Sequence, residues 1–322
     1  THDKIVFGVG EEGQKRKREK SPILKKPISS ELGGVSPTIV VPGPWSKADL
    51  KFQAENIATQ KLQNAGHNCV ATQVLVMPKE WMDTEKLLNN VESEILKAED
   101  RPAYYPGAAD RQNLAREHAN AKSLDSNVDR TIIYDLDSSI DEPCFTDEYF
   151  SPVLTTVSLE GSDASEFLKA AVKFANDKLD GTLGANIIIH PKTAKAIKAD
   201  LDQAIADLKY GGIGVNVWCA LAFFAAGGAW GAFPGHSIDD IQSGKGVVHN
   251  AFLFDKTQKT VATGPFRNFP RSILSGDFHI SPRPPWFVSN KTSHITGKRL
   301  TYYSGSGNWL KLPGILTSAL RG

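Results

Sequence analysis

An α/β fold built on a mostly parallel, Rossmann-like sheet is predicted by three features of the chain. Short β-branched runs alternate with amphipathic stretches, the alternation holds from about residue 38 to about residue 217, and glycine or proline marks most junctions. In such a pattern each amphipathic stretch is the crossover helix that joins two parallel strands.

The elements follow in order. Residues 4–7 read as a strand, followed by Gly8, Gly10 and Gly13 and a charged stretch, 11–20, of helical composition. A glycine turn between strand and helix can offer backbone N–H groups to a phosphate, and a tight surface turn uses the same residues. Gly33-Gly34 allows close backbone approach before the buried strand 38–41. Residues 49–64 carry Leu50, Ala54, Ile57, Ala58 and Leu62 at helical spacing, and the repeat stops at Gly66. Cys69 lies just beyond, on a helix-to-strand loop leading into strand 70–77. Helix 84–98, strands 131–134 and 153–157, helix 163–179, strand 185–189, helix 193–209 and strand 213–217 continue the alternation. After about residue 235 the chain turns to Pro, Gly, Ser and aromatic residues, among them Phe266, Phe269, Pro284, Pro285 and Trp286, and reads as an irregular tail.

Composition bounds the function classes. The 322 residues are 40% hydrophobic and 23% charged with a formal net charge of +1, ordinary for a globular protein, and no global field draws it to nucleic acid or an anionic membrane. Cys69, Cys144 and Cys219 are widely spaced, odd in number and without a C-x-x-C pair, which argues against a disulfide framework and against a metal site. A reducing, cytoplasmic setting is expected. No apolar run reaches the roughly 20 residues that span a bilayer. The chain opens on Thr1 rather than Met, without the look of a secretory leader, and is expected to start inside a longer protein.

Four stretches carry more specific information: Glu31-Leu32-Gly33-Gly34 with Ser36-Pro37, Asn64-Ala65-Gly66-His67-Asn68-Cys69, Glu148-Tyr149-Phe150-Ser151-Pro152-Val153, and Gly214-Val215-Asn216. In that order and spacing the chain resembles the C-terminal two-thirds of the NAD(P)-dependent aldehyde dehydrogenases, from about residue 3 to about residue 246. The resemblance implies a remnant of the dinucleotide-binding domain at 1–33, a catalytic domain at 34–235, and a C-terminal segment, 236–322, that packs back and contributes to a homo-oligomer in the full-length protein.

It also implies a reaction: an aldehyde is oxidised to a carboxylic acid with NAD or NADP, through a thiohemiacetal and then a thioacyl intermediate on Cys69. A thiolate is the best side-chain nucleophile for a carbonyl near neutral pH. A cysteine taken alone is most often buried and inert; the Asn-Ala-Gly-His-Asn flank, including Asn68, reverses that reading for Cys69, whereas Cys144 and Cys219 keep it. Glu31 occupies the position of the base that activates the deacylating water, although a lone glutamate is usually a solvated one. Its presence favours an acid product over transfer to coenzyme A. Glu148 and Phe150 match the positions that hold the nicotinamide ribose and pack near the nicotinamide, a task a carboxylate suits because it accepts two hydrogen bonds from a diol. Gly8 and Gly10 match the turn that contacts the pyrophosphate. Asn216 is expected to organise a loop, and Trp230 and Phe233 resemble aromatic positions along the substrate path.

Two positions depart from the family pattern: His67 stands where glutamine is usual, and the turn reads Phe7-Gly8-Val9-Gly10 without the usual threonine. The upstream asparagine that donates to the oxyanion falls outside these residues, so weak ester hydrolysis without dehydrogenase turnover is expected of the chain alone. Two rivals accompany this reading. One is a catalytically silent structural or interaction module; the other is a cofactor-independent thiol hydrolase, which needs His67 within hydrogen-bond reach of Cys69.

Overall fold

Residues 1–322 apart from 125, 126, 277, 279 and 280 are described by the computed structural model. The strands are β1 (Ser30–Glu31), β2 (Ser36–Val40), β3 (Thr72–Pro78), β4 (Ala121–Ser123), β5 (Thr131–Leu136), β6 (Val153–Leu159), β7 (Gly184–Ile188), β8 (Gly212–Val215), β9 (Gly244–Lys245) and β10 (Thr260–Thr263). The helices are α1 (His2–Val6), α2 (Gly10–Arg18), α3 (Lys47–Leu62), α4 (Thr84–Lys97), α5 (Ala108–Glu117), α6 (Pro143–Thr146), α7 (Ala164–Lys178), α8 (Pro191–Ala196), α9 (Lys198–Asp207), α10 (Ala220–Phe224), α11 (Ser293–Ser306) and α12 (Leu312–Leu320). Among the described residues no helix is long and apolar enough to cross a membrane.

Eight strands form one sheet in the order β10-β8-β7-β2-β3-β6-β5-β4, with every pair parallel except β4 with β5. The central strands are buried on both faces, which is why they read as near-continuous apolar runs. Ile39, Val74, Val76 and Ile187 point into a core shared with α7 and α9, while Val40, Leu75, Met77 and Ile188 point into one shared with α3 and α4. Each such side chain contributes roughly 1.5–3 kcal/mol on burial.

α3 begins with a capping box: Asp49 N donates to Ser46 Oγ at 3.2 Å and Ser46 N donates to Asp49 Oδ2 at 2.9 Å. The same buried Asp49 carboxylate accepts from Arg267 and Arg271, at 2.6 and 3.0 Å, and so fastens the distant tail to the helix start. Burial alone would raise its pKa, but hydrogen bonds from Arg267 and Ser46 hold it well below the usual carboxylate range.

Three expectations need correction. Residues 4–7 are not a strand: α1 covers His2–Val6, with Phe7 N bonded to Asp3 O at 2.8 Å. No described strand pairs with this stretch, so its backbone groups close locally in a helical turn. The stretch 193–209 is two helices, because Ile197 leaves helical geometry (φ −111°, ψ 35°) and packs its side chain on the core. The tail beyond residue 235 is only partly irregular. It supplies edge strand β10 to the main sheet, strand β9 against β1, and the helical pair α11 and α12.

Candidate active site

α3 ends in a run of left-handed residues, Asn64 (φ 57°), Ala65 (φ 55°) and Gly66 (φ 75°), which turns the chain back toward the segment preceding β6. A methyl group on Gly66 would stand 2.6 Å from the Ser151 carbonyl carbon, so only glycine fits the approach. The turn delivers Cys69 just ahead of β3. Glu31 and Gly33 lie just ahead of β2, and Glu148 and Phe150 just ahead of β6. These strands are parallel, so all five residues gather at one edge of the sheet, the amino edge.

There they line a depression of about 370 Å³ together with Leu32, Tyr105 and Arg111. A larger opening, about 790 Å³, lies at the carboxyl edge beside Lys79, Asp135 and Glu160 and contains none of them. Open α/β sheets usually bind ligands at that carboxyl edge. Here the nucleophilic and acid–base groups are at the other one.

Cys69 is half-buried, whereas Cys144 and Cys219 are buried. Burial first, and the negative charges of Glu31 and Glu148 next, push its thiol up to about 12, so it rests protonated beside two carboxylates. Asn68 Oδ1 lies 3.9 Å from the sulfur and accepts from Val70 N at 3.0 Å, fixing the loop on both sides of the thiol. Glu31 is held from behind, its Oε1 accepting from Trp230 Nε1 at 3.1 Å. Its backbone is held as well: β1 pairs with β9, and Leu32 N donates to Ser243 O at 2.8 Å.

Glu148 lies against Gly33, where an added methyl would stand 2.5 Å from both carboxylate oxygens. Burial raises its pKa to about 7, with Lys61 and Arg111 pulling the other way, and its Oε1 is buried without a hydrogen-bond partner. Lys61, fully buried, is lowered by burial and partly restored by Glu148. Its Nζ donates to Ser151 O at 3.2 Å and Gln73 Oε1 at 3.4 Å. Phe150 adopts φ 43° and packs edge-on to Tyr105 at 4.8 Å. Arg111 braces the segment by donating to the carbonyls of Tyr149 and Phe150.

The structure thus brings together Cys69, Glu31, Glu148, Phe150 and Asn68. Other expected residues stand elsewhere. Trp230 is fully buried and orients Glu31 instead of lining a substrate path. Phe233 is not among the residues of the depression; Lys259 Nζ sits 5.1 Å from its ring centre. Asn216 follows β8 at the carboxyl edge, where its Oδ1 accepts from Ile189 N at 2.8 Å. Gly8 and Gly10 join α1 to α2, not a strand to a helix, and α2 opens with Glu11 and Glu12 in its first turn. Two carboxylates at the helix start disfavour a phosphate there, so the expected pyrophosphate contact loses its basis. His67 Nδ1 donates to Phe150 O at 2.8 Å and its Nε2 has no hydrogen-bond partner. No His67–Cys69 hydrogen bond exists, and the thiol-hydrolase arrangement is not formed.

Lys61, Tyr105 and Arg111 were not anticipated. Lys61 had a signal: it follows Ala54 by seven and Ile57 by four, which puts a charge on the apolar stripe of α3. Nothing in the local pattern marks Tyr105 or Arg111.

Residues 9–115 match the family model described as the aldehyde dehydrogenase family. A lactaldehyde dehydrogenase of Methanococcus maripaludis is 28% identical over 206 residues, covering 59% of this chain and 40% of that protein. The aldehyde dehydrogenase family 3 comG protein of Dictyostelium discoideum is 26% identical over 275 residues, covering 77% of this chain and 52% of that protein. Among solved structures, a Mycobacterium tuberculosis aldehyde dehydrogenase complexed with NAD+ superposes with a TM-score of 0.53 at 20% identity, covering 75% of this chain and 48% of that one. The chain spans about half the length of the relatives it matches.

Proposed function

From the match of residues 9–115 to the aldehyde dehydrogenase family model, we propose that the chain is part of such an enzyme and that, in the full-length protein, its amino-edge depression oxidises an aldehyde to a carboxylic acid with NAD or NADP, using Cys69 as nucleophile and Glu31 as the base of deacylation. The observation that carries the reading is the convergence of a half-buried thiol with two carboxylates, one held by Trp230 and the other left with an orphaned oxygen.

The thiol is protonated at rest, so its proton passes by way of water in the open depression to the carbonyl oxygen as the sulfur attacks. Sulfur then bonds to the aldehyde carbon, giving a thiohemiacetal. The buried, unpartnered Glu148 Oε1 and the tight approach over Gly33 fit a cofactor ribose, whose hydroxyls would supply the missing donors. When bound, the nicotinamide supplies the hydride acceptor that turns the thiohemiacetal into a thioester. Arg111, on the backbone of residues 149 and 150, keeps Glu148 and Phe150 aimed into the site. Glu31 then takes a proton from the water that hydrolyses the thioester and frees Cys69.

The test compares the 322-residue chain with its Cys69→Ala variant on p-nitrophenyl acetate and, separately, on aldehydes of several sizes with NAD+ or NADP+. Hydrolysis or cofactor reduction that depends on Cys69 supports the reading. Equal activity in the variant, or activity in neither assay from folded protein, rejects it for this chain.

A further inference from the structure

His118 at the end of α5, Glu142 ahead of α6 and Cys144 within α6 place one imidazole nitrogen, one carboxylate oxygen and one thiol sulfur all within 4.8 Å of one another. The group lies outside the depression that holds Cys69. His118 Nε2 is 3.6 Å from Glu142 Oε2, with side chains 24% and 14% exposed, and the Cys144 sulfur is buried 3.2 Å from the Tyr149 hydroxyl. Glu142 occupies the N-cap position of α6 but caps nothing with its side chain, so its carboxylate is not committed to the helix.

We propose that His118, Glu142 and Cys144 form a binding site for one zinc-class divalent cation, with Tyr149 Oη or a water completing the shell.

Ligand identity sets the class of ion. A thiolate with an imidazole and a carboxylate suits zinc and its borderline-soft neighbours and does not suit magnesium or calcium, which take oxygen ligands. Separation sets the fit. With metal bonds of about 2.0–2.3 Å, ligand atoms around a tetrahedral ion stand roughly 3.3–3.7 Å apart, and the His118–Glu142 distance already falls in that range. The Cys144 sulfur has only to close part of the space within the 4.8 Å limit.

Binding displaces the Cys144 thiol proton, so M²⁺ and the thiol give a metal thiolate and one H⁺. The imidazole must offer a bare Nε2. Its Nδ1 now accepts from Asn120 N at 3.1 Å, so the ring proton passes to Nδ1 and that amide, at an exposed position, turns to water. A bound cation supplies the charge that stabilises the Cys144 thiolate.

The consequence is mechanical. The segment from Glu142 to Phe150 carries Glu148, and Arg111 of α5 already grips its far end at Tyr149 and Phe150. An ion joining His118 to Glu142 and Cys144 would tie the near end to the same helix, so both ends would be braced by α5. This role rests on the assignment of Glu148 above; the binding of the ion does not.

The experiment titrates Co²⁺ into metal-free chain carrying Cys69→Ser, so that the thiol of the depression is silent. A cobalt–thiolate absorption that saturates at one equivalent, is bleached by Zn²⁺, and weakens at least about tenfold in affinity in both His118→Ala and Glu142→Gln is the expected result. Those two variants alter partly exposed side chains and keep the test readable should Cys144→Ser fail to fold. Absence of the band, or a band unaffected by either variant, overturns the site. Failure of Cys69-dependent activity with the cobalt result intact would reject the enzymatic reading alone.

Discussion

Trp230 Nε1 donates to Glu31 Oε1 at 3.1 Å across 199 residues of sequence, so a ring from beyond β8 sets the direction in which the carboxylate faces Cys69. The ring is fully buried and packs so closely on Gly212 that a methyl group added there would stand 2.8 Å from it.

Trp230→Phe keeps most of the apolar volume and removes the donor. It should cost about 1–2 kcal/mol of stability, and it should slow hydrolysis of the acyl-enzyme roughly tenfold, equivalent to about 1.4 kcal/mol. Rapid-quench ester hydrolysis separates the acylation and deacylation rates. An unchanged deacylation rate would remove Trp230 from the account.

Because the charge of Glu31 helps push the Cys69 thiol upward, Glu31→Gln should lower its pKa. Alkylation by iodoacetamide follows the thiolate, whose fraction rises about tenfold per pH unit below the pKa. Labelling of Cys69 in Glu31→Gln should therefore be several-fold faster than in the parent at pH 8, with both profiles rising toward alkaline pH. Slower labelling would contradict the electrostatic assignment.

Lys61 pulls the Glu148 carboxyl down against the effect of burial. In Lys61→Met the Glu148 titration should move above about 7, followed by carbon NMR of labelled glutamate and assigned with Glu148→Gln. A titration that stays in place would show that the two side chains do not interact.

Asp49 has a depressed folded pKa, so it binds protons more readily when unfolded. Its contribution to stability is present above the ordinary carboxylate pKa near 4 and is lost as pH falls below it toward the folded value. Asp49→Asn should cost about 3–5 kcal/mol at pH 7, since it leaves Arg267 without its carboxylate. The difference in urea midpoint between variant and parent should shrink as pH drops from 4 toward 2. A constant difference would contradict the linkage.

How much of this was readable from the residues depends on whether a feature is local. Strands such as 38–41 and 153–157 were legible because burial on both faces leaves continuous β-branched runs. The approach of Cys69, Glu31 and Glu148 was expected from the family resemblance that three short motifs carry, and each motif precedes a parallel strand. The misreading of residues 4–7 has the opposite cause: apolar content suggests a strand, but a strand needs a neighbour, and none is present among the described residues. The role of Trp230 and the fastening of the tail through Arg267 were invisible for a related reason. A hydrogen bond between residues about two hundred positions apart leaves no periodicity in either segment.

The central claim is that Cys69 carries the acyl group and Glu31 helps remove it. Incubating the Glu31→Gln chain with p-nitrophenyl acetate and mapping peptides by mass spectrometry tests both parts at once. The account predicts one acetyl group accumulating on Cys69 as a burst of p-nitrophenol gives way to slow turnover. Acetyl on Cys144, Cys219 or another side chain in its place, or steady turnover equal to that of the parent chain without accumulation, would contradict it.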